Sequence, residues 1–523
     1  MTCKYSCTSI HTGQACSELI ILFIPITASQ YDPLDQFLSF KEKTAGPIGI
    51  MTTSNGAPVR YSDASISLNH RLLFNEYFMD SITHLSRERI PERLVHAKAG
   101  GAFGYFEVTH DITHICKAKL FSAIGERTPI AARFSPIIVE RGGSDTSRDA
   151  RGFAVKFYTE EGNFDIAGFN TPMFVIKDPL FFTTFVHAVK KNPATNVFDA
   201  NSLWDFLTLR PESWHIFLLI FSDRGIPDGY RHMPGFGIHT FQVVNDNGES
   251  YFVRFHFVPN SGIKNLSAEE ARKIGAEDAD YNTRDLYGSI LNGEYPTWNL
   301  SVQILSLEDV KNAKFDVFDV TKILPLDTYP LHPVGQMVLN RNPDNYFADI
   351  EQLAFNPANL VPGILGGVDK LFEARRLSYR DAQYYRLGAN FHKIPVNCPF
   401  QSKPLTYNRD GVPPVKANGK DTPNYFPNSF NGPVPYKDLN SSQLIEIIQQ
   451  DSDNVEQIRD LYLNGITDEE RDNLIDNILY SLGSASKILQ DRAVNIFTII
   501  HSDFGNRIEQ GLMSNITRAS FYK

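Results

Sequence analysis

At 523 residues the chain has length for roughly three domain-sized units with well-buried cores, so neither disulfides nor a structural metal is required to hold it together. Its 42% hydrophobic and 21% charged content is that of a globular protein. A net charge of −10 sets the summed field against phosphate backbones and anionic membrane surfaces, which excludes nucleic acid and membranes as expected partners.

Residues 1–29 read as a leader. An apolar run at 19–26, LIILFIPI, follows a polar stretch containing Lys4 and precedes the small residues Thr27, Ala28 and Ser29. The run is too short to span a bilayer, and Glu18 before it and Pro25 within it depart from an ordinary signal peptide. Two readings stay open: a signal peptide of a secreted protein, or an N-terminal extension of a cytoplasmic or peroxisomal one. The terminal SFYK lacks the simple peroxisomal tripeptide. Cys3, Cys7 and Cys16 fall in the leader, leaving Cys116 and Cys398, and no zinc spacing or disulfide framework results.

After an N-terminal arm over 30–80, residues 81–333 carry the runs YFEVTH, PIAARFS, RGFAVKFY, HTFQVVN and YFVRFHFV. They alternate between Gly, Asn and Asp turns, which predicts antiparallel β structure with one buried face. Residues 334–437 are Gly- and Pro-rich and lack periodicity except for a helical pattern near 369–385; an irregular stretch this long carries function or wraps another element. Over 438–523 the period becomes helical. Thr467 and Glu470 have capping-box spacing, and Leu474, Ile475, Ile478, Leu479 and Leu482 share a face. The fold class is α+β.

Residues 87–98, RERIPERLVHAK, place a run of charges before His96. Taken alone, His96 suits a structural role as well as a catalytic one, and a tyrosine on an amphipathic helix, such as Tyr379, is ordinarily core. That stretch and AFGYFEVTHDIT, RFS at 133–135, TSRDARGFAVKFYTEEGNFD at 146–165, LVPGILGGVDK and NFHKIPVNCP together resemble the haem catalases of the small-subunit, animal type, from about residue 54 to the end.

The resemblance implies an antiparallel β-barrel haem domain, an extended wrapping segment carrying the proximal ligand, and a C-terminal helical domain. It further implies ferric haem b, hydrogen peroxide decomposed to water and oxygen, and a homotetramer. His96 matches the distal histidine, which takes a proton from peroxide and returns it to the departing oxygen, and Ser135 the hydroxyl that holds its ring. Residues 375–381, RRLSYRD, are similar to the proximal signature R-x-F-x-Y-x-D, with Tyr379 at the iron ligand; tyrosine is the axial ligand known for catalases, so this assignment comes with the resemblance. Arg375 lies one helical turn from Tyr379, and a cation there favours phenolate over phenol. His239 and Asp369 match the residues supporting that arginine. Arg93, Arg133 and Arg386 match the propionate-binding guanidinium groups, and Val95, Phe174, Phe182 and Phe185 the apolar walls.

Two departures stand out. Where the family has Gly-Asn-Asn-Thr-Pro, this chain reads Gly168-Phe169-Asn170-Thr171-Pro172, so Phe169 replaces the distal amide. Losing one preorganised donor costs about 10² to 10³ in rate. The added apolar bulk narrows the pocket or turns it toward a hydrophobic hydroperoxide. Asn170 cannot substitute if the segment is extended, because a one-residue slip faces it the other way. In the family's nicotinamide-nucleotide site His215, Ser222 and Arg224 are kept, but Pro234, Phe236, Val258, Leu324 and Leu326 replace polar, basic or aromatic residues, so no tightly held NADPH is expected. The readings are a catalase with reduced activity, a haem peroxidase or organic-hydroperoxide enzyme on the same fold, and a non-enzymatic haem-binding protein.

Overall fold

Alternating side chains between tight turns produce ten strands in the computed structural model: β1 (Gly100–Val108), β2 (Arg127–Pro136), β3 (Arg151–Thr159), β4 (Gly162–Phe169), β5 (Gly235–Phe236), β6 (Phe241–Val244), β7 (Ser250–Pro259), β8 (Thr297–Leu305), β9 (Leu331–Arg341) and β10 (Ile364–Gly367). The structure describes residues 33–44, 46–64, 72–414, 419–436 and 453–520. The leader, with its three cysteines and apolar run, and the last three residues lie outside them. The chain divides into Met1–Gly46, whose described part holds the helix Pro33–Lys43, and Pro47–Lys523, which holds everything below.

The sheet order is β10-β6-β7-β5-β4-β3-β2-β1-β9-β8, and pairing of β7 with β8 closes β1–β5 and β7–β9 into an antiparallel barrel with β6 and β10 attached outside the ring. Fully buried Phe134, Phe153, Phe157, Phe164 and Trp298 fill the interior. Phe134 and Phe153 meet edge-on at 5.0 Å, and Phe157 and Phe164 stack at 5.6 Å.

Strands β2, β3 and β4 differ from the expected single buried face, while β8 and the C-terminal half of β1 keep the alternation. In β3 every residue except the half-buried Ala154 is buried, because aromatic side chains pack the barrel interior while loops and helices cover its exterior. The boundary drawn at 333/334 also falls inside β9, so the stretch read as wrapping supplies a barrel strand.

Helices Asp468–Leu482, Lys487–Ile500 and Ser502–Ser520 follow the C-terminal periodicity. Thr467 and Glu470 form the reciprocal capping box; Leu474, Ile475, Ile478 and Leu482 are buried, and Leu479 packs half-buried beside them. These side chains share one apolar cluster with helices Ala200–Leu209 and Trp214–Phe221 and with Phe169 and Phe174. The C-terminal helices thus back the wall that Phe169 belongs to. Among the described residues no helix is long and apolar enough to cross a membrane.

Candidate active site

Between barrel and helices lies a cavity of about 2170 Å³, lined by His96, Ser135, Phe169, Tyr379, Arg375 and the arginines 93, 133 and 386, among others. A small-molecule pocket is usually about 300–1,000 Å³, so there is room for a large flat cofactor and an approach to it.

On one side of the cavity the barrel register builds the wall. Ser135 on β2 pairs with Gly152 on β3, and Gly152 pairs with Phe169 on β4, so the three form a row across adjacent strands. His96 sits over that row. Its backbone amide donates to Ile137 O at 2.8 Å, its Nδ1 lies 3.0 Å from Ser135 Oγ, and its φ is 63°, in the left-handed region. The row works because its middle residue has no side chain: a Cβ on Gly152 would stand 2.8 Å from Ser135 Oγ and 2.9 Å from His96 Nδ1. The Phe169 ring centroid is 5.5 Å from that of His96 and 5.5 Å from that of Phe174. Asn170 turns away: its Oδ1 accepts the Arg151 amide at 2.7 Å, and its own amide donates to Arg151 O. Burial first, and the Arg133 charge second, push the His96 pKa down to about 3, which keeps the imidazole neutral.

On the other side the helix Lys370–Leu387 begins at Asp369, whose Oδ1 accepts the Phe372 amide at 2.9 Å as an N-cap. The other carboxylate oxygen, Oδ2, lies 2.8 Å from His239 Nδ1; His239 Nε2 lies 2.8 Å from Arg375 Nη1; and Arg375 Nη2 donates to Tyr379 Oη at 3.0 Å and to Ala167 O at 2.6 Å. A carboxylate only accepts and a guanidinium only donates, so Nδ1 carries the His239 proton and Nε2 accepts. Burial lowers the His239 pKa, which keeps that ring neutral against Arg375. Ile238, just before it, is held at φ 72°, a conformation rare for a β-branched residue. His239 and Asp369 stand behind Arg375 and do not line the cavity.

At a third edge Arg93, Arg133 and Arg386 converge. Arg93 Nη2 donates to Glu351 O at 2.9 Å and Leu353 O at 2.8 Å; Arg386 Nη2 meets Glu351 Oε1 at 3.0 Å; Arg133 Nη2 donates to His96 O at 2.8 Å. Glu351, which is 2% exposed, is the carboxylate paired with Arg93 and Arg386. Burial lowers the pKa of all three arginines, and Arg93 is pushed well below its ordinary value, with Arg133 and Arg386 adding to the shift. Three guanidinium groups against one carboxylate leave a buried excess of positive charge. Arg133 Nε and Glu351 Oε2 have no hydrogen-bond partner there. Such a cluster is completed by an anionic ligand.

The geometry gathers every residue singled out at this site. Val95, Phe174, Phe182 and Phe185 line the same cavity. Sequence reasoning missed Gly152, Glu351 and the Ala167 carbonyl. Gly152 sits within a recognised motif, and its pairing with Ser135 is a register fact. Glu351 shows no periodic or motif signal at all.

A barrel-bound pocket with an arginine-held phenol on one side, a neutral histidine on the other and a cationic edge defines a haem protein. The catalase family model matches residues 52–432, and a model described as catalase-related immune-responsive matches 448–512. The chain is 47% identical to the catalase of Ascaris suum over 487 residues, covering 91% of this chain and 90% of that one. It is 46% identical to that of Sus scrofa over 493 residues, covering 92% and 94%. A fungal catalase crystal structure superposes with a TM-score of 0.85 at 38% identity, over 90% of this chain and 98% of that one. The chain belongs to the catalase family: it is a haem oxidoreductase that degrades hydrogen peroxide.

Proposed function

We propose that this is a haem b catalase whose oxygen evolution is held back by Phe169. The observation that carries this reading is the row Ser135–Gly152–Phe169, which presents one hydroxyl, one gap and one apolar ring where the family resemblance calls for an amide. The residues present fit the cofactor. Tyr379, with Arg375 donating to its oxygen, is a phenolate ligand for ferric iron, and the excess charge of Arg93, Arg133 and Arg386 takes the two propionates. When bound, the haem supplies the two-electron redox chemistry that peroxide disproportionation needs.

The protein's part in the reaction is proton handling. With Nδ1 of His96 as the donor to Ser135 Oγ, 3.0 Å away, Nε2 is left free. Nε2 accepts a peroxide proton and returns it to the departing oxygen. Phe169 contributes shape but no hydrogen bond, so peroxide is oriented by His96 alone.

No tightly held nucleotide is expected. Ser222 Oγ donates to Leu219 O at 2.7 Å, and Gln457 pairs with both the amide and the carbonyl of Ile323, beside Leu324. A homotetramer accounts for the exposed apolar side chains Ile48, Ile50, Phe74, Phe430, Val434 and Tyr436, which further copies would cover.

An oxygen electrode with haem content quantified tests the reading. Phe169→Asn should raise oxygen evolution per haem by roughly 10². A variant with matched haem whose activity is unchanged or lower would overturn the role given to Phe169.

A further inference from the structure

The turn that presents His239 to Arg375 is strained. His239 N donates to Gly237 O at 2.9 Å across Ile238, whose φ is 72°, which makes a γ-turn of the rare kind with positive φ. Such a conformation persists only where its surroundings over-determine it. One end of the turn is pinned by the sheet, where Gly237 N donates to Phe255 O on β7 at 2.9 Å. The other end is Thr240, which is fully buried. Its hydroxyl donates to Val317 O at 2.7 Å and accepts Arg254 Nε at 2.8 Å.

Arg254 lies on β7 and is buried, and its remaining donors reach one loop. Nη1 donates to Lys322 O at 2.6 Å, and Nη2 to Val317 O at 2.9 Å and Asp319 O at 3.4 Å. That loop is anchored from its far side as well: Lys322 Nζ donates to Asn454 Oδ1 at 2.6 Å, and Gln457 pairs with the amide and the carbonyl of Ile323. The acceptors of Arg254 are a hydroxyl and three backbone carbonyls, so a salt bridge does not account for its place. Burial lowers its pKa to about 10, against the charges of Asp319, Asp369 and Asp316, and it stays a cation. Its planar fork holds the turn and the loop at once, a task for which a point donor such as lysine is less suited.

We propose that Arg254 is a positioning residue of the haem site: through Thr240 it fixes the strained turn, and with it His239 Nε2, the acceptor that aims Arg375 at Tyr379. This rests on Tyr379 as the iron ligand, the reading given above. Arg254 does not line the cavity, so it acts through these neighbours. The hydrogen bond from Arg375 draws electron density from the phenol oxygen, which favours ferrous over ferric iron, and the buried charge of Arg254 works in the same direction. Loosening the turn, or removing the charge, should therefore lower the reduction potential.

The test compares purified holoenzyme in four forms, the parent, Arg254→Met, Arg254→Lys and Thr240→Val, with haem content quantified. The ferric/ferrous potential is measured by spectroelectrochemical titration beside the melting temperature. Thr240→Val keeps the buried charge and nearly the same side-chain volume but cuts the link to the turn. The expected result is a ferric-to-ferrous ratio at fixed potential that rises roughly tenfold in Thr240→Val and Arg254→Met, a potential about 59 mV lower for a one-electron couple. Arg254→Lys, which restores the charge without the fork, should recover part of that shift. If Arg254→Met does not fold, Thr240→Val decides. Lower melting temperatures with the potential of the haem-loaded protein unmoved would overturn the inference and leave Arg254 a structural clamp. Tyr379→Phe in the same titration keeps the two readings apart: the parent's spectrum and potential in that variant would sink the ligand reading, and this inference with it.

Discussion

The two faces of the cavity are built on opposite rules. On the proximal face polar groups are joined in series, Asp369 to His239 to Arg375 to Tyr379, each donor meeting an acceptor. On the distal face one polar pair, His96 with Ser135, stands before an aromatic wall. A series of hydrogen bonds fixes charge and tautomer along its length, so each member constrains the next. A wall of rings constrains shape only, and one side chain can change in it without disturbing the pair beside it. Both faces hold a residue at positive φ, His96 and Ile238, so each is backed by packing firm enough to sustain that strain.

Removing the end of the proximal series is the most severe way to break the contrast. Tyr379→Phe deletes the phenol oxygen, leaves Arg375 Nη2 with the Ala167 carbonyl alone, and takes away the proposed iron ligand. Haem absorbance should be lost or grossly altered. Full occupancy with an unchanged spectrum would show that Tyr379 is not the ligand.

The contrast also explains what was readable in the sequence. His96, Ser135, Arg375 and Tyr379 lie in motifs that resemble those of catalases, and Phe169 stands out because it breaks another of them. What could not be read depends on three-dimensional register. Residues 331–341 contain Pro333 and Gly335 and show no clean alternation, yet as β9 they pair with both β1 and β8 and help close the barrel. Burial on both faces of β3 depends on coverage that no strand pattern encodes. Glu351 is one acidic residue among many until folding puts it between Arg93 and Arg386.

Lowering the pH should separate stability from chemistry. Burial holds His96 at about 3 and His215 and His256 at about 4, against an ordinary 6.5. Between those values the unfolded chain binds protons that the folded chain does not. Stability is therefore full above pH 6.5 and falls as pH drops, by about 1.4 kcal/mol per pH unit for each such histidine. His96 stays neutral through that window, so turnover per folded haem should persist while the urea midpoint declines. A midpoint that does not move between about pH 7 and pH 5 would show that these rings are not held neutral by burial.

A methyl group placed between the distal pair sharpens the comparison from the other side. Gly152→Ala puts a carbon within 2.8 Å of Ser135 Oγ and 2.9 Å of His96 Nδ1. One of them must shift, at about 1–3 kcal/mol for overpacking. A displacement of about 1 Å at the proton-transfer group costs on the order of 10²-fold in kcat. The haem spectrum should stay near that of the parent because the proximal series is untouched. Loss of haem together with activity would show that the two faces are not separable.

The gentlest test changes one atom type at the head of the proximal series. Asn caps helices about as well as Asp, so Asp369→Asn keeps an oxygen for the Phe372 amide that Oδ1 now accepts at 2.9 Å, and the cap itself should be preserved. The side chain's second polar atom then becomes an amide nitrogen facing His239 Nδ1, a donor against a donor. If the imidazole shifts its proton to Nε2 to resolve that clash, it faces the guanidinium of Arg375, a donor again, where Nε2 now lies 2.8 Å from Nη1. Either tautomer leaves one mismatch, and the mismatch sits next to the group that holds Tyr379 Oη at 3.0 Å. The expected result is a shifted haem spectrum and reduction potential, with about 1–3 kcal/mol of stability lost to the buried mismatch. A variant with both spectrum and potential unchanged would show that Asp369 serves the helix alone and that the series begins at His239.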